Sequence, residues 1–107
     1  MMNRGEVYWV DLDPTKGSEI SKLRPCVIVS ANAINRARKT VIVVPLSTSA
    51  QPRPPLVIPV SCMEKSSVAV CDQIRTVDKT RLRKQAGKFS IKEIMDLEDS
   101  LKQILSL

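Results

Sequence analysis

Apolar residues in most of the chain come in short β-branched runs broken by polar, proline-bearing stretches. Only the C-terminal segment spaces them as a helix does. Gly5 to Val10 predicts a first strand, with Val7, Tyr8 and Trp9 divided between its faces. Asp11 to Leu23 carries Pro14, Gly17 and Ser18 among charges and predicts a long loop. Pro25 to Ser30 predicts a second strand, and Ala31 to Asn35 a single helical turn. Val41 to Leu46 is almost continuously apolar, which predicts burial on both faces. Pro45 near its end suits an edge or a bulge, because proline has no N–H to give a ladder.

Pro52, Pro54 and Pro55 make Ala50 to Pro55 a second exposed loop. Leu56 to Val60 and Ser67 to Cys71 predict two further strands around a loop from Ser61 to Ser66, and Gln73 to Val77 continues the sheet. Asp78 to Lys84 predicts a short basic helix capped by Asp78. Ser90 and Glu93 form a capping box that opens a final helix, with Ile91, Ile94, Leu97, Leu101, Ile104 and Leu105 along one stripe. That stripe needs a partner, in its own subunit, in a second one, or in both. The expected fold class is mainly β with helices (α+β): a small antiparallel β-barrel with a C-terminal α-helix. A doubly wound parallel sheet lacks the helices it would need.

Composition narrows this further. The chain has 107 residues, 43% of them apolar, enough for one small domain over 1–107. Tyr8, Trp9 and Phe89 are the only aromatics, so Val, Ile and Leu must build the core. No stretch approaches the roughly 18 apolar residues of a membrane span, and the N-terminus lacks a signal peptide's apolar region, so a soluble, cytoplasmic protein is expected. Cys26, Cys62 and Cys71 are an odd number of thiols, and Cys26 and Cys71 lie in apolar runs where a free thiol acts as a small hydrophobe. A structural zinc site needs about four ligands, which three scattered cysteines and no histidine do not supply.

Charge adds a candidate partner. Residues 1–90 hold 15 Lys or Arg against 7 Asp or Glu, while residues 91–107 hold 2 against 4. The basic excess therefore belongs to the body, with clusters at Arg36, Arg38 and Lys39 and at Lys79, Arg81, Arg83, Lys84 and Lys88. It suits a polyanion, although a solvated basic face is as common.

Several strands end in polar groups, which costs packing and places chemistry at one rim. Glu19 lies in the first loop, Arg24 precedes Pro25, Ser47, Thr48 and Ser49 close the third strand, and Asp72, Gln73 and Arg75 follow the fifth. Arg24 and Arg75 can hold a phosphate bidentately, the hydroxyls can bond its oxygens, and Glu19 can accept a proton. With no histidine in the chain, proton transfer would fall to carboxylates, arginine or water. Each residue also has a plainer use, since a loop glutamate is ordinarily solvated and a strand-end serine ordinarily caps a turn. Asp11 and Asp13 could suggest Mg²⁺, but Asp13-Pro14 reads as a turn initiator and no further acid completes a ligand set. No metal and no cofactor is expected.

Five ordered stretches are similar to one family. They are Arg4-Gly5-Glu6-Val7-Tyr8-Trp9-Val10-Asp11-Leu12-Asp13-Pro14, Gly17-Ser18-Glu19, Arg24-Pro25-Cys26-Val27-Ile28-Val29-Ser30, Val44-Pro45-Leu46-Ser47-Thr48 and Asp72-Gln73-Ile74-Arg75-Thr76-Val77-Asp78. With the final amphipathic helix they resemble the MazF/PemK/Kid toxins of type II toxin–antitoxin modules over nearly the whole chain. The resemblance implies a metal-independent endoribonuclease, on a small barrel also seen in gyrase-poisoning toxins. It further implies a homodimer, single-stranded RNA as substrate, and an antitoxin with an acidic tail. Arg24 matches the family's catalytic arginine, Glu19 its acidic or base-recognising position, Ser47 and Thr48 its hydroxyl position, and Asp72 and Gln73 its D-Q pair. Some members carry an arginine where this chain has Val70, so the acid's role would pass to Arg24 or water. Specificity would lie in loops 15–23 and 49–55, with Lys16, Lys22 and Arg53 contacting RNA. Two other classes stay open: a non-catalytic toxin that poisons a protein such as a topoisomerase, and a plain nucleic-acid-binding domain, whose stacking platform would be limited to Tyr8 and Trp9.

Overall fold

The computed structural model describes residues 2–63 and 65–107, so Glu64, in the expected 61–66 loop, lies outside the described residues. In chain order come β1 (Glu6–Asp11), β2 (Leu23–Ile28), α1 (Asn32–Ala37), β3 (Thr40–Ser47), β4 (Val57–Val60), β5 (Ser67–Val70), β6 (Arg75–Asp78), β7 (Leu82–Lys88) and α2 (Ile91–Leu105). Two 3-10 turns, Cys71–Gln73 and Lys79–Arg81, flank β6. The antiparallel sheet runs β4-β5-β3-β2-β1-β7, with β6 also paired to β3.

β3 is the strand on which the sheet folds over. One edge pairs with β2 through Cys26↔Pro45, Val27↔Val44 and Ile28↔Val43. Its other edge pairs with β6 from Thr40 to Val43 and with β5 at Leu46 and Ser47. Pro45 therefore sits inside a central strand, at the point where that second edge changes partner and no ladder N–H is needed. Side chains alternate as a pleat requires: Val41 and Val43 enter one buried cluster with Val10, Cys26 and Ile28, while Val44 and Leu46 enter another with Val7, Val27 and Phe89. Burial on both faces is thus as the sequence predicts. Each such side chain contributes ~1.5–3 kcal/mol.

Two expectations are corrected. The basic helix over Asp78–Lys84 is one 3-10 turn, although its cap is present: Thr80 donates its backbone N–H to Asp78 Oδ1 at 2.9 Å. The chain then becomes β7, where Leu82 is buried and pairs with Val10. Its polar, lysine-bearing sequence is that of an edge strand, and β1 supplies the pairing that its own pattern does not announce. The second correction is Ile91, which is 80% exposed at the start of α2. The inward stripe is Ile94, Leu97, Leu101 and Ile104, and Met95 and Leu105 stay outside with Ile91.

The cysteines are free, two of them buried. Burial pushes the Cys26 thiol up to about 12 against the opposing charge of Arg75, and raises Cys62 and Cys71 to about 11. Protonated and enclosed, Cys26 and Cys71 behave as small apolar fillers. Among the described residues no helix is long and apolar enough to cross a membrane.

The capping box forms as expected, with Ser90 Oγ accepting from Glu93 N and Glu93 Oε1 from Ser90 N. Glu93 Oε2 also accepts from Ser61 N at 2.8 Å, which ties the 61–66 loop to α2. Partial burial pushes the Glu93 carboxyl up, but the Ser90 and Ser61 N–H groups outweigh it and hold the group below its ordinary value. A lowered native pKa stabilises the fold above the unfolded value of about 4.3 and is lost as pH falls through the native one. Ser90→Ala should cost about 1 kcal/mol in urea unfolding at pH 7. Glu93→Gln should be less stable at pH 7 and should flatten the fall in stability below about pH 4.3. An unchanged acid limb would remove Glu93 from that linkage.

Candidate active site

The register between β2 and β3 decides where Arg24 and the hydroxyls meet. Continued two residues past Cys26↔Pro45, it brings Arg24 opposite Ser47. Both, with Thr48, line one cavity of about 630 Å³. β1 contributes Trp9, which pairs with Pro25, and β7 contributes Lys84 and Gln85. The far wall is Cys62, Met63, Lys65 and Ser67.

Two backbone features shape this cavity. Between Tyr8↔Gln85 and Val10↔Leu82, β7 uses one more residue than β1, a bulge that spans Arg83 and Lys84. Gly87 lets the far wall approach: a Cβ there would lie 2.9 Å from the Cys62 carbonyl oxygen. That contact is too close for any side chain unless backbone moves.

The described lining residues include three cations, Arg24, Lys65 and Lys84, and no carboxylate. Arg24 spends only Nε locally, donating to the Ser21 carbonyl at 3.2 Å, so the terminal nitrogens of its exposed guanidinium have no hydrogen-bond partner among the described residues. Ser47 Oγ accepts from the N–H groups of Ser49 and Ala50, both at 3.2 Å, and so caps the turn after β3. Thr48 is exposed, and its hydroxyl is bonded to no described residue. The fork of an arginine, a free hydroxyl and two lysines against an indole face fits a phosphate next to a stacked base.

The other half of the expected constellation lies elsewhere. Glu19, Asp72, Gln73 and Arg75 line a shallower depression of about 480 Å³ with Ser18 and Ile74. Gln73 holds the first loop there: its Oε1 accepts from Ile20 N at 2.7 Å and its Nε2 donates to the Ser18 carbonyl at 3.3 Å. Glu19 Oε1 accepts from Lys16 N. The reading of Glu19 as a group beside Arg24 and the hydroxyls is therefore corrected, because these tertiary bonds carry the loop to the other depression. Ile20 and Ser21 form the divide, one bonded to Gln73 and the other to Arg24. Two carboxylates against one arginine make this second depression better suited to the donor edges of a base than to a phosphate.

Lys16, Lys22 and Arg53 are exposed and line neither hollow. Arg53 is held by its backbone, which exchanges hydrogen bonds with Val57 at 2.7 and 2.9 Å. Asp11 and Asp13 are occupied in the turn: Asp11 Oδ1 accepts from Asp13 N and Asp13 Oδ1 from Lys22 N. Val70 is buried in β5. Lys65 and Lys84 were not singled out from the sequence as site residues. Lys84 stood in the second basic cluster, but its place at the cavity follows only once β7 is known to be a strand.

Trp9 is the chain's single tryptophan, so the cavity carries its own reporter. A single-stranded oligonucleotide bound there should quench its emission, and Trp9→Ala should weaken binding by about 5- to 150-fold, the range for losing one stacked base. Binding without a change in emission would place the ligand elsewhere.

Known proteins resemble this chain over nearly its whole length. Residues 3–105 match the family model described as PemK-like, MazF-like toxin of type II toxin-antitoxin system. The chain is 34% identical over 116 residues to Endoribonuclease MazF9 of Mycobacterium tuberculosis, covering 100% of this chain and 98% of that protein. It is 33% identical over 112 residues to Endoribonuclease MazF of Staphylococcus saprophyticus, covering 100% and 93%. Among solved structures, a mycobacterial endoribonuclease in complex with its cognate antitoxin superposes with a TM-score of 0.83 at 26% identity, covering 98% of this chain and 95% of that one. MazF from Deinococcus radiodurans shares the fold, with a TM-score of 0.87 at 20% identity and coverage of 98% and 96%. A family-model match over residues 3–105, together with a seven-stranded antiparallel sheet followed by a C-terminal helix, establishes that this chain belongs to the PemK-like, MazF-like toxins of type II toxin–antitoxin systems.

Proposed function

We propose that the chain is a cytoplasmic endoribonuclease toxin that cleaves single-stranded RNA without a metal ion and is held inactive by an acidic antitoxin. The observation that carries the reading is one cavity in which Arg24, Ser47 and Thr48 meet with Lys65 and Lys84 and no described carboxylate. The relatives' names as endoribonucleases, and a neighbour solved with its antitoxin, support the same reading.

In this mechanism Arg24 grips the non-bridging oxygens of the scissile phosphate and Thr48 donates to one of them. The ribose 2′-oxygen attacks phosphorus, its proton leaves to water, and the bond to the 5′-oxygen breaks. The 5′-oxygen takes a proton from water, giving a 2′,3′-cyclic phosphate and a free 5′-hydroxyl. Lys65 and Lys84 add positive charge as the phosphorane forms, so catalysis rests on positioning and charge stabilisation. Glu19 and Asp72 read a neighbouring base from the second depression. A homodimer belongs to the proposal, and the exposed Ile91, Met95 and Leu105 of α2 offer apolar surface for one.

Purified protein should cut a long RNA equally well with and without EDTA, leaving cyclic-phosphate ends. Intact RNA with accumulated DNA cleavage complexes would favour the topoisomerase-poison reading instead. Cutting that requires Mg²⁺ would refute the mechanism.

A further inference from the structure

The mechanism leaves unused a basic surface that begins at the cavity and ends at the opposite end of β3. Lys84 lines the cavity, and Arg83 follows on the same bulged stretch of the edge strand β7. The 3-10 turn just before β7 carries Lys79, whose N–H donates to the Lys39 carbonyl at 2.9 Å. That bond joins the turn to the last turn of α1 and the two residues after it, where Arg36, Arg38 and Lys39 are all exposed. Arg36 and Lys79 together line two adjoining shallow hollows of about 440 and 450 Å³.

Counter-charges offset this track only in part. Asp78 lies within it, its carboxylate held ionised by Thr80 and attracted to Lys39, and Asp11 meets Arg83 at 3.7 Å, two acids against six cations. Arg81 is spent on the carbonyls of Asp11 and Asp13 and is not part of the surface offered. Arg36, Arg38 and Lys39 pair with no carboxylate among the described residues.

We infer that this track, from Lys84 through Arg83 and Lys79 to Arg36, Arg38 and Lys39, binds the phosphate backbone of RNA that flanks the cleavage point. The inference deepens the proposed function and rests on it for the place of the cut. Closely spaced cations, of which only Arg83 has an ion-pair partner among the described residues, fit a continuous single strand, which repeats its charge at a short, regular interval. The eight residues of β3 separate Ser47 from the far end of the track. That is about 25 Å at roughly 3.3 Å per residue, or about seven stacked phosphates. An oligonucleotide confined to the cavity cannot reach Arg36, and a strand of twenty nucleotides can.

The test uses the full chain and its triple variant Arg36→Ser, Arg38→Ser, Lys39→Ser, with circular dichroism to show both folded. Binding of a five-nucleotide and a twenty-nucleotide RNA, each 2′-O-methylated to block cutting, is followed by fluorescence anisotropy against salt. The triple variant should bind the long RNA about tenfold more weakly at low salt, with its log–log salt slope smaller by about 2, and should bind the short one as wild type does. Equal losses on both lengths, or no loss on the long RNA, would overturn the inference. So would unchanged RNA binding with weakened binding of a polyglutamate peptide, which would assign the track to an acidic protein. Because binding is read without cleavage, an inactive wild-type protein that still shows the length-dependent loss would refute the nuclease reading and leave the track standing.

Discussion

Arg24→Ala should fold as the wild type does and lose about 10²- to 10³-fold in RNA cutting, the cost of removing one donor aimed at developing negative charge. The expectation of a preserved fold rests on exposure: the Arg24 side chain gives the structure a single bond, from Nε to the Ser21 carbonyl. The expectation of lost activity rests on its unpaired terminal nitrogens, directed with Thr48 and Lys84 at one cavity. Arg24→Lys should rescue little, because an ammonium replaces a two-toothed fork by a point charge. Glu19→Gln should leave much more activity than Arg24→Ala, since Glu19 lines the other depression. Single-turnover cleavage of one long RNA by the three variants checks this order. Near-wild-type cutting by Arg24→Ala would remove Arg24 from the chemistry.

Gly87→Ala should impair the protein without touching a single polar group of the site. The added Cβ would lie 2.9 Å from the Cys62 carbonyl oxygen, and a backbone atom cannot swing aside as a side-chain tip can. Either β7 or the 61–63 segment must move, and both are walls of the cavity. Strain of this kind costs ~1–3 kcal/mol. Urea denaturation should show that loss, and cutting should fall by at least tenfold under conditions where the variant remains folded, about the effect of a misplaced positioning group. Full activity in a folded Gly87→Ala protein would mean that the far wall takes no part.

The sequence was most informative where the determinants are local. The capping box and three- and four-residue spacing of α2 are properties of a few neighbouring residues, and the structure has both. β1, β2 and β3 announced themselves through β-branched runs, with bounds displaced by a residue or two. β7 did not, because Leu82–Lys88 is a polar edge whose extended form comes from pairing with β1. The same distinction divides the site. Arg24, Ser47 and Thr48 meet because adjacent strands fix them, whereas Glu19 goes where Gln73, bonded to Ile20 from 53 residues later in the chain, holds the loop. Ile91 failed for a related reason: helical spacing names a stripe, but packing against the sheet decides which of its residues are covered.

The most direct measurement is a crystal structure of this chain with a 2′-O-methylated single-stranded RNA. One phosphate should lie within hydrogen-bond distance of the Arg24 terminal nitrogens and the Thr48 hydroxyl, with a base against Trp9. A phosphate seated instead over Glu19, Asp72 and Arg75, with Arg24 turned to solvent, would contradict it.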